Sequence, residues 1–147
     1  MKTALFAGSF DPFTIGHKDI VERALPLFDR LIIGIGFNIN KKYMLSAEDS
    51  KKNIVQMFEN ETKIDVKIYN GLTADFAKEH NVNFFVRSVR TFQDFEYEKN
   101  LAEINKKIGG IETLIFFAKP DLAHISSSMV RELMSYGKDV AEFLPKV

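Results

Sequence analysis

The sequence predicts an α/β fold with a doubly wound, five-stranded parallel sheet and helices on both faces. Short apolar runs alternate with segments of helical periodicity along the whole chain. One of these runs, residues 31–37, is continuously apolar, which is typical of a strand buried on both faces. Polar, glycine-containing connections follow the strands at the edge where such sheets bind ligands. We therefore interpret residues 1–147 as one domain, a size that allows a substantial core.

The predicted elements alternate from the start of the chain to its end. Strands are expected at residues 4–7, 31–37, 64–69, 84–86 and 113–117, and helices at about 17–28, from 46, at 73–80, at 91–107 and from 126 to 137. Pro26 lies inside the first helical pattern and should end or kink that helix early. Alternating apolar and polar residues over 64–69 indicate a half-buried strand at an edge of the sheet. Thr73 is expected to cap the third helix, and an apolar face of the fourth helix consists of Tyr97, Leu101, Ile104 and Ile108.

The composition excludes several classes of function. Twenty basic and twenty acidic residues balance, so no global field favours nucleic acid or an anionic membrane. No apolar run approaches the roughly 18 residues of a membrane-spanning helix. The first residues do not read as a secretory signal, so we expect a cytoplasmic protein. The absence of cysteine excludes disulfides, thiolate metal sites and a thiol nucleophile.

The connection after the first strand is a candidate phosphate site. It reads Ala7-Gly8-Ser9-Phe10-Asp11-Pro12-Phe13-Thr14-Ile15-Gly16-His17. A strand that leads through such a loop into a helix N-terminus directs free backbone N–H groups and the positive end of the helix dipole at one point. The dipole disfavours the charged form of His17 and a bound phosphate favours it, but either form can donate a hydrogen bond to an oxygen that gains charge. Asp11 is expected to fix the loop through Asx-type bonds rather than to act as a base.

Two further segments place basic or hydroxyl side chains at a strand end or a helix start. Arg87-Ser88-Val89-Arg90 precedes Asp94-Phe95-Glu96-Tyr97-Glu98, and Ile125-Ser126-Ser127-Ser128-Met129-Val130-Arg131 opens the last helix. Together with Gly8-Ser9-Phe10-Asp11-Pro12 and Gly16-His17, they resemble the signatures of the nucleotidyltransferases related to class I aminoacyl-tRNA synthetases. Over nearly the whole chain the pattern resembles the phosphopantetheine adenylyltransferase family, which implies a Rossmann-like fold.

The resemblance implies that the acceptor, 4′-phosphopantetheine, is bound by Ser9, Lys41, Thr73 and Arg87. Lys41 would neutralise the acceptor phosphate, although a one-residue shift of the alignment would give this role to Lys42. Arg87 on the pantetheine side and Arg90 on the ATP phosphates would act by forked, charge-assisted hydrogen bonds. The resemblance makes His17, Lys41 and Arg90 the catalytic residues, with His17 stabilising the transition state at the ATP phosphates.

On the nucleotide side the resemblance implies a longer set of contacts. These residues are Ser9, Phe10, His17, Ser88, Val89, Arg90, Glu98, Leu122, Ala123, His124, Ile125, Ser126, Ser127 and Ser128. The three serines would form an anion nest for the β- and γ-phosphates, although the same residues could act only as an N-cap. The family has glycine where this chain has Ser88, which matters if that backbone needs a positive φ. It often has tryptophan at the position of Leu122, and many members carry a final helix beyond the last residue of this chain.

The reaction implied by the resemblance is adenylyl transfer from ATP to 4′-phosphopantetheine in coenzyme A biosynthesis, giving 3′-dephospho-coenzyme A and pyrophosphate. The acceptor phosphate is already a nucleophile near neutral pH, so no general base is required. Mg²⁺ would be carried by ATP, and no resident metal site is expected. The resemblance also implies a homohexamer and feedback inhibition by coenzyme A.

Other functions fit the sequence less well. Nicotinate-mononucleotide adenylyltransferases and glycerol-phosphate cytidylyltransferases typically have His-x-Gly-His, where this chain has Thr14 in place of the first histidine, and they lack the segment 94–98. A non-catalytic nucleotide-binding module could have the same sheet and anion nest, but it would not need His17, Lys41 and two arginines. Binding of RNA is disfavoured by the zero net charge.

Overall fold

The computed structural model describes residues 1–146 and has the predicted alternation of strands and helices. Within that range the elements are β1 (Thr3–Gly8), α1 (Ile15–Ala24), β2 (Arg30–Gly36), α2 (Ala47–Met57), β3 (Ile64–Tyr69), α3 (Thr73–Glu79), β4 (Phe84–Val89), α4 (Phe92–Gly109), β5 (Glu112–Phe117) and α5 (Ser127–Ser135). The strands form one sheet in the order β3-β2-β1-β4-β5, and every neighbouring pair is parallel. The predicted fold class is confirmed, and β3 lies at an edge as its alternation indicates.

The sheet is covered on both faces because alternate residues of its central strands enter two separate cores. Phe6 and Ile33 point to one face, where they pack with residues of α1 and α2 such as Val21 and Ile54. Leu5 and Ile32 point to the other face, where they pack with residues of α3 such as Phe76. The continuous apolar run of β2 is therefore explained, since both sets of its side chains are buried.

Helix ends follow local capping chemistry, and some of them differ from the sequence prediction. α1 begins at Ile15 because Thr14 caps it, and it ends at Ala24 in a 3₁₀ turn that contains Pro26, so the early end is confirmed. α3 has Leu72 at its N-cap position without a side-chain bond. The predicted cap by Thr73 is wrong, because the Thr73 hydroxyl instead lies 2.9 Å from the Tyr69 hydroxyl.

The apolar face of α4 is largely uncovered. Glu98 is its one buried residue within the described range, whereas Tyr97, Ile104 and Ile108 are 64%, 55% and 59% exposed. None of the helices found in residues 1–146 has the length and apolar character needed to cross a membrane.

Candidate active site

A cleft of about 700 Å³ opens where the carboxyl ends of β1 to β4 meet. This is the position that a sheet with its strand order reversed between β1 and β4 favours for a ligand. The structure brings the four residues predicted for the acceptor together in its lining: Ser9, Lys41, Thr73 and Arg87. Lys42 does not line the cleft, so the geometry favours Lys41 among the two lysines.

Arg87 is held rigidly in the cleft by Glu98. The Nε and Nη2 atoms of Arg87 each donate a 2.7 Å hydrogen bond to one carboxylate oxygen of Glu98, and Nη1 donates to the Ala7 carbonyl at 2.9 Å. Burial alone would lower the pKa of Arg87, but the hydrogen bonds and charge of Glu98 outweigh it and the pKa is raised. Three of the five guanidinium N–H donors are used, which leaves two for a substrate.

Glu98 itself is only 6% exposed and accepts from Arg87 with both carboxylate oxygens. Its contact with the nucleotide, which the resemblance implies, stays a prediction. The structure makes Glu98 the residue that orients Arg87. The pair forms because the carboxyl end of β4, with Arg87, faces the second turn of α4, with Glu98. The family resemblance did not predict this pairing.

His17 is fixed as a neutral hydrogen-bond donor by the start of α1. Its Nδ1 accepts the backbone N–H of Thr14 at 2.9 Å, while the Thr14 hydroxyl caps the His17 N–H. Because Nδ1 accepts, the ring proton lies on Nε2. Burial, and then the charges of Arg90 and Arg87, lower the pKa of His17 to about 4. The effect expected from the helix dipole has the same direction, but the causes of the lowered pKa are burial and the two arginines.

The low pKa of His17 predicts a dependence of stability on pH. The unfolded chain gains a proton on this histidine near pH 6.5, whereas the folded protein resists protonation down to about pH 4. The stability of the folded protein that depends on a neutral His17 is therefore fully present above pH 6.5 and is lost as the pH falls to about 4. Over this range the free energy of unfolding should decrease by up to about 3 kcal/mol.

Urea unfolding at pH 7 and at pH 4.5 tests this dependence. The free energy of unfolding of His17→Gln should fall less between the two pH values than that of the wild type, with His124→Gln as the control for loss of a histidine elsewhere. Equal pH dependence of the wild type and His17→Gln would contradict the prediction.

The connection between β1 and α1, here called the phosphate loop, packs the aromatic side chains of Phe10 and Phe13 against His17. Phe10 has a positive φ of 47°, is 3% exposed and places its ring edge-on at 5.1 Å from the His17 ring. A Cβ atom at Gly8 would come within 3.1 Å of the Phe10 ring, so glycine is needed there for close approach. Since its side chain is buried, Phe10 can offer only its backbone to the nucleotide predicted to contact it.

The serine segment lies at the start of α5 and is tied to this loop. Ser126 is the N-cap, because its hydroxyl accepts the Met129 N–H at 3.1 Å. Ser127 donates its hydroxyl to the Pro12 carbonyl at 2.7 Å, and Ser128 accepts from Arg131 at 3.3 Å. The role of Ser126 as an N-cap is compatible with an anion nest at these serines, because the first two N–H groups of α5 stay available for a ligand.

The remaining residues predicted to bind ATP lie in the sequence between the loop after β1 and the start of α5. Ser88 and Val89 are the last residues of β4, and neither has a positive φ, so serine in place of the family glycine carries no backbone penalty. Arg90 follows immediately, with its Nε 3.3 Å from Asp94. The segment Leu122, Ala123, His124 and Ile125 forms the turn before α5.

Comparison with known proteins identifies the family. Residues 5–133 match the family described as cytidylyltransferase-like. The chain is 48% identical to the phosphopantetheine adenylyltransferase of Phocaeicola vulgatus over 99% of this chain and 97% of that protein. Identity is 47% to the protein of the same name from Bacteroides thetaiotaomicron, over the same shares. It is 46% to that of Christiangramia forsetii, over 100% and 97%.

This chain belongs to the phosphopantetheine adenylyltransferase family. The chain covers 97% of the length of each of the three relatives just named. The fold alone is similar to that in the crystal structure of the lipopolysaccharide core biosynthesis protein from Thermoplasma volcanium, with a TM-score of 0.58, 18% identity and coverage of 81% of this chain and 97% of that one.

Sequence reasoning missed one wall of the cleft of this phosphopantetheine adenylyltransferase family member. α4 supplies it with Tyr97, Leu101 and Asn105, one helix face at four-residue spacing. The signal was present in the predicted apolar face of α4, since the polar residue Asn105 follows Tyr97 and Leu101 at the same four-residue spacing. Tyr69 was also missed, because its ring turns away from the apolar residues of β3 and stacks at 4.5 Å on Phe76.

Proposed function

We propose that this chain transfers the adenylyl group of ATP to 4′-phosphopantetheine, giving 3′-dephospho-coenzyme A and pyrophosphate. The observation that carries this proposal is the convergence of Lys41 and the preoriented Arg87 on one cleft, together with a histidine that is fixed as a donor and whose pKa the charges of Arg90 and Arg87 help to lower. Two cations suit a doubly charged acceptor phosphate. The relatives that share the chain over nearly its full length bear the name of this activity.

The chemistry needs positioning more than proton transfer. An oxygen of the acceptor phosphate attacks the α-phosphorus of ATP, the bond from this phosphorus to the bridging oxygen of the β-phosphate breaks, and pyrophosphate leaves. A phosphate monoester with a second pKa near 6 is already mostly a dianion at neutral pH, so no side chain has to remove a proton. The Nε2–H of His17 donates to an α-phosphate oxygen as that oxygen gains charge.

Arg90 and the start of α5 receive the rest of the nucleotide in this proposal. The first N–H groups of α5 and the hydroxyl of Ser128 suit the β- and γ-phosphates. Mg²⁺ enters as its complex with ATP, because phosphate oxygens are ligands it prefers. The turn at 122–125 lies beside adenine. The enzyme would act in the cytoplasm, where ATP is plentiful.

Assembly and regulation form a separate proposal. We propose a homo-oligomer, a hexamer by family resemblance, with coenzyme A as feedback inhibitor. The exposed apolar side chains of α4 support association, since surfaces of this kind are rarely left open in monomers. Sedimentation analysis would test the assembly, and a single species of monomer mass would contradict it.

Identification of the acceptor tests the proposed function. The protein is incubated with ATP and Mg²⁺ and one of three phosphate acceptors: 4′-phosphopantetheine, nicotinate mononucleotide or glycerol 3-phosphate. Mass spectrometry should find an adenylylated product with the first alone. Product from nicotinate mononucleotide instead would move the chain to a neighbouring activity, and ATP binding without any product would favour a non-catalytic nucleotide-binding module.

The two neighbouring lysines provide a matched pair of variants. Lys41→Ala should raise KM for 4′-phosphopantetheine about tenfold or more, the value of a lost hydrogen bond between charged groups. Lys42→Ala should change it little, because Lys42 does not line the cleft. Steady-state kinetics with saturating ATP measures both, and a larger effect from Lys42→Ala would reverse the assignment.

A further inference from the structure

The carboxylate of Asp11 is bonded outside its own loop. It is 4% exposed, and its two oxygens accept the backbone N–H groups of Met44 at 2.7 Å and Leu45 at 2.9 Å. The expected Asx-type bonds within the phosphate loop are therefore not its role. Instead, the side chain joins the connection after β1 to the connection after β2, thirty-three and thirty-four residues further along the chain.

The segment that Asp11 holds is the one that carries Lys41. Residues 38–45 otherwise close on themselves: the Lys41 N–H donates to the Asn38 carbonyl at 3.0 Å, and the Asn38 N–H donates to the Tyr43 hydroxyl at 2.9 Å. Within residues 1–146, the two bonds from Asp11 are the side-chain hydrogen bonds that fasten this segment to another element. They lie three and four residues after Lys41, so they limit where its ammonium can reach.

The same short stretch also receives α5. Arg131 donates from Nη1 to the carbonyl oxygen of Asp11 at 2.7 Å, and Ser127 donates to the next carbonyl, that of Pro12. One residue earlier, Phe10 packs against His17. The acceptor-side loop, the nucleotide-side helix and the donor histidine thus share one anchor.

We propose that Asp11 is a positioning residue that acts through Lys41: its carboxylate fastens the 38–45 loop so that the Lys41 ammonium meets the acceptor phosphate. The inference rests on the proposed function. Two N–H donors require two acceptor oxygens, which a carboxylate provides and a carboxamide does not, since one of its two positions is itself a donor. Asp11→Asn therefore keeps the shape of the side chain and removes one of the two bonds.

Kinetics of Asp11→Asn give the first test. We expect kcat/KM for 4′-phosphopantetheine to fall about tenfold or more, with the Kd for ATP near the wild-type value. Asp29→Asn is the matched control, because the Asp29 carboxylate accepts the Lys2 N–H at 2.6 Å just before β2 begins, at the opposite edge of the sheet. A loss of ATP affinity equal to the loss of acceptor affinity would overturn the inference.

A double-mutant cycle separates positioning from general structural support. If Asp11 acts through Lys41, adding Asp11→Asn to Lys41→Ala should lower kcat/KM for the acceptor little further. If Asp11 supports the fold alone, the two losses should multiply, and the inference is wrong. Wild-type enzyme without any acceptor-dependent product would refute the proposed function, whereas an active wild type with an unaffected Asp11→Asn refutes only this inference.

Amide hydrogen exchange keeps the test valid if Asp11→Asn does not fold. In the wild-type protein the amides of Met44 and Leu45 should be protected, although they lie in a connection without regular structure. Exchange at the rate of free peptide for both amides would overturn the inference. If the variant folds, protection should be lost at these two amides while that of α2 is retained.

Discussion

His17→Ala should lower kcat by about 100- to 1,000-fold, the usual effect of removing one donor to an oxygen that gains charge. KM for ATP should change less, because the variant loses a bond that strengthens in the transition state. The donor is already in place before substrate binds, since the Thr14 N–H holds Nδ1 and leaves the proton on Nε2. Steady-state kinetics at saturating ATP and acceptor provides the measurement.

His80→Ala is the matched control for this variant. The His80 ring packs on Phe76 at 4.2 Å and does not line the cleft, so its removal should leave kcat close to the wild type. The variant also loses the hydrogen bond from the Thr14 N–H to the His17 ring at the start of α1. This loss should lower the free energy of unfolding by about 1 kcal/mol, and a thermal melt would measure it separately. A kcat of His17→Ala within a few-fold of the wild type would exclude His17 from the chemical step.

Glu98→Ala should lower the free energy of unfolding by about 3 kcal/mol, because it leaves the Arg87 guanidinium without its partner. Removal of one partner of a buried ion pair costs about 3 to 5 kcal/mol. We expect the lower value here, because the Arg87 side chain is 30% exposed and can be partly hydrated in the variant. KM for 4′-phosphopantetheine should rise as well, because Arg87 is no longer preoriented in the cleft. Denaturant titration and acceptor kinetics measure the two effects.

The same helix offers a control for the loss of a glutamate. The side chain of Glu103 is 70% exposed and pairs with Lys99 at 3.8 Å, so Glu103→Ala should change stability by no more than about 0.5 kcal/mol. Equal stability losses for Glu98→Ala and Glu103→Ala would show that the Arg87–Glu98 pair is not a buried support of the site.

The sheet and the place of the site follow from local patterns in the sequence. Strands and helices are recognised by their periodicity, and parallel strands put all of their carboxyl ends at one edge whatever their order. For that reason Ser9, Lys41 and Arg87 could be placed on a common edge without knowledge of the strand order. Thr14, three residues before His17, is a typical N-cap residue. In the capping box of α1, however, a histidine side chain takes the place usually held by Glu or Gln.

The pairings between distant segments do not follow from such patterns. The bond of Asp11 to Met44 and Leu45 depends on how two connections lie against each other after the sheet has formed. Similarly, the pairing of Glu98 with Arg87 depends on the rotation of α4 about its axis, which a one-dimensional motif does not specify. The exposure of the α4 apolar face was equally hidden, because periodicity shows that residues share a face but not what covers it.

Release of pyrophosphate from ATP and Mg²⁺, with and without 4′-phosphopantetheine, tests the proposed activity most directly. Wild-type protein should release pyrophosphate only when the acceptor is present, in equal amount to 3′-dephospho-coenzyme A, and His17→Ala should lose nearly all of this release. Release that does not depend on the acceptor, or the same rate from His17→Ala, would contradict the proposed adenylyl transfer and the role of His17 in it.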